Sequence, residues 1–475
     1  MNPEEFRQAG HQLIDWIADY RAKIAGFPVM SRVEPGEVRA QLPVAPPESA
    51  EPFADVFRDL EQIILPGLVH WQHPQFFGYF PANGELSSVL GDYLSTGLGV
   101  LGLSWQASPA LSELEEVVTD WVRQMVNLSP AWSGVIQDTA STSTLVALLC
   151  ARERTTNYGL ARGGLQDEER PLVVYGSGQS HSSVEKAALL AGFGRANVRN
   201  VPIDERYAMR PDALAALIEA DIERGLVPCA IVATTGTTAT TALDPLEAIS
   251  RVAQRYNLWL HVDAAMAGSA MILPECRWMW QGIEGADSLV LNVHKWLGVA
   301  FDCSLYYVRD SAHLVRVMST NPSFLQTTVD GQVKNLRDWG IPLGRRFRAL
   351  KLWCLIREQG VAGLQARLRR DIANARWLAE QVQATPHWRV LAPVTLQTVC
   401  VRHEPPGLSG EELDRHTLAW LDRVQRSGQA YLTPAQLDGR WMVRISIGSL
   451  LTERTHVEAL WAMLQREPQE GFCQN

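Results

Sequence analysis

The pattern of apolar and polar residues divides the chain into three parts. Between Phe6 and Ile24, apolar residues recur at roughly helical spacing, which predicts an amphipathic opening helix. Residues 26–52 contain six prolines, so this segment is predicted to be largely non-helical. A helix followed by an extended arm has little core of its own. We therefore expect residues 1–85 to form an N-terminal helical and extended arm that packs on a partner subunit.

From residue 171 onwards, short apolar runs alternate with helical patterns, and the runs are predicted strands at 172–175, 229–234, 258–262, 289–293 and 304–308. This alternation indicates a mainly parallel central sheet covered on both faces, hence an α/β domain over residues 86–362. Within it, residues 319–339 are polar, aperiodic and rich in turn signals, which predicts a lid loop. The pattern that follows predicts a small α+β C-terminal domain over residues 363–475.

The composition narrows the class of protein. Apolar residues make up 46% of the 475-residue chain and charged residues 20%, as is ordinary for globular proteins. The net charge of −9 argues against a nucleic-acid partner or an anionic membrane surface. The chain starts without the basic and apolar regions of a signal peptide, and no apolar run suits a membrane span.

Cysteine and histidine spacing bears on redox state and metal binding. The seven cysteines are scattered and form no Cys-x-x-Cys pair, which favours reduced thiols and a cytoplasmic location. His70 and His73 stand three residues apart, but no carboxylate or cysteine ligand accompanies them. We therefore predict no metal site.

Several polar residues stand where apolar runs end, the edge at which ligands bind in α/β folds. Lys295 follows one such run directly after His294, and a lysine beside another cationic group is a candidate Schiff-base residue. Asp263 ends another run, where a buried carboxylate needs a cationic partner such as a protonated pyridine nitrogen. His181 stands at the start of a predicted helix and is suited to stacking on a flat ring.

Hydroxyl groups supply the remaining part of such a site. Residues 141–144, after the small Ala140, all carry hydroxyls at the start of an apolar helix, and exposed donors there suit a phosphate group. Thr238, in a threonine-rich turn, is a further polar contributor. Each feature has a structural alternative as a cap, a turn or an ion pair. Together, on a parallel sheet, they predict a site for pyridoxal 5'-phosphate.

Six stretches carry a resemblance to a known family and are spread over most of the chain. They are residues 73–81, 104–110, 179–184 (Gln-Ser-His-Ser-Ser-Val), 261–265 (His-Val-Asp-Ala-Ala), 292–296 (Asn-Val-His-Lys-Trp) and 341–347. On these residues the chain resembles the group II pyridoxal-phosphate-dependent decarboxylases, and most closely the bacterial aromatic-L-amino-acid (DOPA) decarboxylases.

The resemblance implies an aspartate-aminotransferase-like (fold type I) homodimer with active sites shared between subunits. Lys295 would bind the cofactor covalently, Asp263 would pair with its pyridine nitrogen, and His181 would stack on its ring. The further residues implied at the cofactor are Ala140, Ser141, Thr238, Ala265, Asn292 and His294. Those implied at the substrate are Trp71, Tyr79, Phe80 and Pro81, with Leu101 and Leu103 from the other subunit.

The implied reaction is decarboxylation of aromatic L-amino acids, of the DOPA, tyrosine, phenylalanine or tryptophan type, to amines and CO₂. The segment 71–81 is dense in aromatic residues, and by itself it fits either a core-packing loop or an aromatic wall for such a ligand. Two other classes fit parts of the pattern. An aminotransferase would need an arginine for the α-carboxylate and would release no CO₂. A non-catalytic scaffold is disfavoured by the intact set of Lys295, Asp263 and His181.

Two residues depart from the family pattern. Phe324 stands in the lid loop where the family's decarboxylases have a tyrosine that looks like the proton donor to Cα. In relatives with this exchange, molecular oxygen intercepts the reaction, and the products are an aldehyde, ammonia and hydrogen peroxide. The alternative sources of the proton are Ser323, His181 and water. Ala82 replaces a small hydroxyl residue near the substrate ring, which weakens the prediction of a strict catechol preference.

Overall fold

Two β-sheets organise the chain in the computed structural model, which describes residues 1–320 and 322–470. The strands are β1 Ser133–Gln137, β2 Leu172–Ser177, β3 Val198–Val201, β4 Val227–Thr234, β5 Trp259–Asp263, β6 Ser288–Leu291, β7 Ser304–Val308, β8 Trp388–Val390, β9 Thr398–His403, β10 Thr433–Leu437 and β11 Arg440–Ser446.

The helices pack around these sheets, and the first of them begins with a capping box formed by Asn2 and Glu5. They are α1 Pro3–Lys23, α2 Glu37–Gln41, α3 Phe53–Asp59, α4 Leu86–Leu98, α5 Pro109–Met125, α6 Ala140–Thr155, α7 Ser182–Leu190, α8 Pro211–Glu223, α9 Leu246–Tyr256, α10 Ser311–Met318, α11 Ala349–Ala384, α12 Gly410–Ser427 and α13 Arg454–Glu470. Helix α11 is interrupted at Gly360, whose φ of +61° favours glycine.

The larger sheet has seven strands in the order β1-β7-β6-β5-β4-β2-β3. Strand β7 runs antiparallel to both of its neighbours, whereas β2, β3, β4, β5 and β6 pair in parallel. Strands β5, β6 and β7 are buried along their whole length, as expected for a parallel sheet covered on both faces. The predicted α/β class with a mainly parallel sheet is confirmed. Strand β3 was not predicted, because its sequence Val-Arg-Asn-Val lacks an apolar run.

The chain divides into two compact units whose limits differ from the predicted domain boundaries. One unit comprises residues 82–372 and 392–398 and contains the seven-stranded sheet. The other joins residues 1–81 with 373–391 and the chain from 399 onwards. The N-terminal segment therefore belongs with the C-terminal α+β unit, and its packing on a partner subunit stays a prediction.

The smaller unit contains a four-stranded sheet in the order β10-β11-β9-β8. The pairs β10–β11 and β8–β9 are antiparallel, and α12 packs on β11 and on α13. His70 and His73 serve structural roles here: His70 Nδ1 lies 2.7 Å from the Tyr20 hydroxyl, and His73 Nδ1 accepts the Gln75 N–H at 2.9 Å.

Within residues 1–320 and 322–470, no group of three or more histidine, cysteine, aspartate or glutamate side chains is arranged to hold a metal ion. The six cysteines in the same ranges form no disulfide with one another, and five of them are buried. A search of these ranges also found no helix with both the length and the apolarity to cross a bilayer.

Candidate active site

The carboxyl ends of β4, β5 and β6 meet at one edge of the large sheet. In the register of the parallel strands, Thr234 pairs with Asp263, and Asp263 pairs with Val290. The chain then leaves β6 through Asn292, whose N–H donates to the carbonyl of Ala265 at 2.9 Å. Residues that are distant in sequence thus share one edge, where ligands bind in α/β folds.

Asp263 supplies a buried carboxylate at this edge. Its side chain is only 5% exposed, and its Oδ1 accepts the N–H of Ala265 at 2.9 Å. Burying a carboxylate away from water is costly, and a nearby cation offsets that cost.

His181 lies close to both Asp263 and Lys295. The pKa of His181 is lowered from its ordinary 6.5, mainly because surrounding protein displaces water, while Asp263 raises it and Lys295 lowers it further. Such charge effects require proximity, so the three residues predicted to form the catalytic set lie together. The imidazole caps α7, accepting the Ser183 N–H at Nδ1, and remains partly open to solvent. It is neutral at neutral pH.

Lys295 lies in a single wide helical turn, Val293–Leu297, that follows β6. Lysine itself departs from helical geometry, with φ −90° and ψ −106°, and its N–H donates to the Asn292 carbonyl at 3.1 Å. The turn ends at Gly298, whose φ of +96° favours glycine. Turns of this wide type are rare in proteins, and those that occur are often found at functional sites.

His294, directly before Lys295 in the chain, is fixed by two hydrogen bonds. Its Nδ1 accepts the N–H of Cys303 at 2.9 Å, and its own N–H donates to the Cys303 carbonyl at 3.2 Å. Burial lowers the pKa of His294 to about 4, with a smaller contribution from Lys295. The ring is therefore neutral at pH 7, and because Nδ1 accepts, the proton is on Nε2. His294 can thus donate one neutral hydrogen bond.

The N-terminus of α6 differs in part from the prediction. Ala140 is its first residue and is buried, while Ser141 is exposed. Ser143 and Thr144, however, are buried and donate their hydroxyls to the carbonyls of Thr139 and Ala140 in their own helix. The expectation of four exposed hydroxyls was therefore wrong. An anion at this helix end could therefore accept hydrogen bonds from the backbone N–H groups of the first turn and from the Ser141 hydroxyl.

The threonine-rich turn after β4 presents Thr238 on its exposed side. Thr237 is buried and is bonded to the Thr240 hydroxyl at 3.0 Å. Sequence reasoning missed the hydroxyl of Thr235, which is buried without a hydrogen-bond partner in the described part of the chain, as is the amide oxygen of Asn292. Orphaned polar atoms at a sheet edge are expected where a polar ligand binds.

The predicted aromatic wall lies in the smaller unit. Trp71 and Tyr79 are stacked with ring centroids 5.4 Å apart, and the Tyr79 and Tyr431 hydroxyls are 3.1 Å apart. Arg444, which is buried, donates to the Tyr79 carbonyl at 2.6 Å and lies over the ring of Phe80. Sequence reasoning missed Tyr431 and Arg444, which lie 352 and 365 residues from Tyr79 along the chain. The assignment of Trp71, Tyr79, Phe80 and Pro81 to the substrate stays a prediction.

Leu101 and Leu103 belong to the larger unit. Leu101 is exposed and Leu103 is half-buried, with its carbonyl accepting the Arg337 N–H at 3.3 Å. Their contribution to a partner's site stays a prediction.

The lid segment is described except for Asn321 and the side chain of Phe324, so the predicted role of that side chain lies outside the described residues. The backbone of Phe324 forms a short turn, Ser323–Leu325. Further along, the Asn335 amide donates to Asp330 at 2.8 Å and accepts the Trp105 N–H at 3.0 Å. These bonds anchor the carboxyl-terminal end of the lid.

Three arginines that follow the lid are all engaged in ion pairs. Arg345 forms a buried pair with Glu115, Arg346 pairs with Asp92, and Arg348 pairs with Asp302. Glu115 also accepts the N–H of Ile136 in β1 at 2.8 Å. In this structure they hold the fold together and do not form a carboxylate clamp.

The lysine, the buried carboxylate, the neutral imidazoles and the helix N-terminus at one edge of an α/β sheet define a pyridoxal-phosphate type of enzyme. The donor set fits that cofactor, because the aldehyde, the cationic ring nitrogen and the phosphate each find a matching group. The chain belongs to the corresponding family: the pyridoxal-dependent decarboxylase conserved domain matches residues 35–404. This confirms the predicted family and its cofactor.

Known proteins resemble the chain over nearly its whole length. It is 40% identical to tryptophan decarboxylase 2 of Oryza sativa subsp. japonica, over 98% of this chain and 95% of that protein. It is also 40% identical to a phenylacetaldehyde synthase of Arabidopsis thaliana, over 98% and 96%. Among solved structures, Oryza sativa TDC with PLP and tryptamine matches with a TM-score of 0.96, 35% identity and 99% coverage of both chains. The predicted fold is confirmed by these similarities.

Proposed function

We propose that this enzyme decarboxylates aromatic L-amino acids to the corresponding amines and CO₂. The observation that carries the proposal is the convergence of Lys295, Asp263 and His181 at the carboxyl edge of the sheet. The similarity to a tryptophan decarboxylase and a phenylacetaldehyde synthase supports an aromatic substrate. The stacked pair Trp71 and Tyr79 supplies aromatic surface of the matching kind.

When bound, pyridoxal phosphate supplies an electron sink for the electron pair left at Cα when CO₂ departs. Lys295 would hold the cofactor covalently, and its amine could take up and return protons during the reaction. Asp263 would keep the ring nitrogen protonated, because a buried carboxylate favours a cationic partner. His181, neutral at pH 7, provides a flat face without an opposing charge.

The phosphate would be held by neutral donors. The Nε2–H of His294 and the first N–H groups of α6 are such donors, with the Ser141 hydroxyl beside them. Ala140, Thr238, Ala265 and Asn292 complete the proposed surroundings of the cofactor. A helix N-terminus and a neutral imidazole stabilise a dianion without an ion pair.

A second candidate outcome rests on Phe324. Phenylalanine has no O–H to protonate Cα, so a site with this residue would leave Cα open to reaction with molecular oxygen. One amino acid, one O₂ and one water would then give one aldehyde, one CO₂, one ammonia and one hydrogen peroxide. Oxygen is a co-substrate only in this branch.

Product analysis across aromatic amino acids tests the proposal. The purified enzyme loaded with pyridoxal phosphate is incubated with DOPA, tyrosine, phenylalanine, tryptophan and 5-hydroxytryptophan, with glutamate as the control. We expect CO₂ from at least one aromatic substrate and turnover of glutamate lower by about 100-fold or more, since the stacked rings of Trp71 and Tyr79 offer apolar surface that suits an aromatic side chain better than a second carboxylate. Transamination without CO₂ would contradict the proposal.

We further propose a homodimer in which a second copy covers one face of α4. Leu86, Leu90, Leu94 and Leu98 follow each other at intervals of four and are 46–62% exposed. Leu101, which follows the last of these leucines by three residues, is also exposed. A continuous apolar face of this kind marks a protein–protein interface, and closed twofold pairing is the commonest solution.

Charged substitutions on this face should dissociate the dimer. We expect Leu90→Asp with Leu94→Asp to give a monomer by light scattering coupled to size exclusion, since each carboxylate would be desolvated in the interface. The matched control is Leu190→Asp on α7, which is 66% exposed and lies off this face. A wild-type chain that is monomeric at micromolar concentration would contradict the proposal.

The compartment we propose is the cytoplasm. It is supported by the thiols Cys150, Cys229 and Cys303, which are buried and form no disulfide within the part of the chain that the structure describes.

A further inference from the structure

The residue after Lys295 is held by groups from helix α11. The indole N–H of Trp296 donates to Asp371 Oδ2 at 2.9 Å, and both side chains are completely buried. Trp296 is thereby fixed in position by a hydrogen bond to a charged acceptor, which is stronger than one between neutral groups. The two residues are 75 positions apart in the chain, so this hydrogen bond is a tertiary contact.

Arg367, one turn earlier on α11, holds the backbone of the same segment. Its two terminal nitrogens donate to the carbonyls of Trp296 and Leu297, at 2.8 and 2.7 Å. These two carbonyls end the wide turn and have no hydrogen-bond partner within it. The guanidinium supplies the two missing donors. Arg367 is itself kept in place between Asp371 and Glu85, whose carboxylate is 4.0 Å away.

The other side of Lys295 is fixed as well. His294 is locked to Cys303 by the two reciprocal hydrogen bonds described above. Lys295 is the one residue of the Val293–Leu297 turn that departs from helical geometry, and it lies between two neighbours that are each held by hydrogen bonds. The flanking hydrogen bonds fix the backbone of Lys295. They therefore fix the direction in which its flexible side chain leaves the backbone.

We propose that Arg367 and Asp371, acting through Trp296, are positioning residues for the Lys295 amine. The inference rests on the proposed function, in which that amine condenses with the aldehyde of pyridoxal phosphate and releases one water. Neither side chain needs to touch the cofactor. Loss of the hydrogen bonds from Arg367 and Asp371 would slow the condensation, because a misdirected amine reaches the attack geometry less often.

The test measures capture of the cofactor by the apoenzyme. Pyridoxal phosphate is mixed with apoenzyme in a stopped-flow instrument, and the rate at which the lysine-bound absorbance appears is recorded beside the unfolding temperature of the apoenzyme. The variants are Trp296→Phe, which removes only the indole N–H and part of the ring, and Arg367→Gln. The matched control is Trp259→Phe, since Trp259 is buried in the same unit and donates to the Ser288 hydroxyl at 2.9 Å.

We expect Trp296→Phe and Arg367→Gln to slow capture by about 10- to 100-fold, while Trp259→Phe stays within about twofold of wild type. Trp259→Phe and Trp296→Phe should lower the unfolding temperature similarly. Capture by Trp296→Phe at the wild-type rate would overturn the inference, as would equal slowing by Trp259→Phe. If Arg367→Gln does not fold, Trp296→Phe decides alone. Absence of capture by the wild-type enzyme would instead overturn the proposed function.

Discussion

Replacement of Lys295 by alanine should lower the rate of decarboxylation by about 1,000-fold or more, because the covalent anchor and its proton-transferring amine are both lost. The expected effect is on kcat, since Asp263, His181 and the N-terminus of α6 remain to bind the cofactor. The measurement is CO₂ release at saturating substrate, together with borohydride reduction and peptide mass mapping of the cofactor.

The control for this prediction is Lys351→Ala, a second lysine in the same unit that is fully buried near Asp92. We expect that variant to lose stability but to keep the reducible linkage at Lys295. If the cofactor maps to another lysine in the wild-type enzyme, the assignment of Lys295 is wrong.

Substitution of Phe324 by tyrosine should move the products toward the amine. A general acid at a reacting centre is worth about 100- to 10,000-fold, so a restored O–H should raise the amine-to-aldehyde ratio by at least about tenfold. Oxygen consumption and hydrogen peroxide should fall in the same proportion, which an oxygen electrode and a peroxidase assay measure.

Phe53→Tyr is the matched control for this exchange, because Phe53 is 44% exposed on α3 in the other compact unit. It adds the same hydroxyl and should leave the products unchanged. A wild-type enzyme that already forms only amine and consumes no oxygen would show that Ser323, His181 or water protonates Cα.

The shared sheet edge of Asp263 and Lys295 could be predicted from the sequence, because charged residues directly follow the two apolar runs that end there. Asp263 and Lys295 stand out for this reason, and the parallel order of β5 and β6 then brings them to one edge. The apolar runs themselves followed from burial on both faces, which leaves little room for polar residues. Strand β3 lacks such a run and was missed.

Long-range pairings could not be predicted, since nothing local distinguishes the partners. Asp371 looks like any helical acid, yet it is buried against Trp296. Glu115 is likewise an ordinary helical acid in the sequence, yet it is the buried partner of Arg345. Ser143 resembled an exposed phosphate donor, but a serine inside a helix turn bonds its own backbone as readily.

The most direct test of the central claim is the fate of the substrate carboxylate. The holoenzyme is incubated with aromatic L-amino acids labelled with ¹³C at the carboxyl carbon, and the gas phase and the products are analysed together. We predict that one labelled CO₂ leaves for each molecule of amine plus aldehyde formed, and that both products are free of label. A labelled keto acid, or substrate consumed without labelled CO₂, would contradict the account.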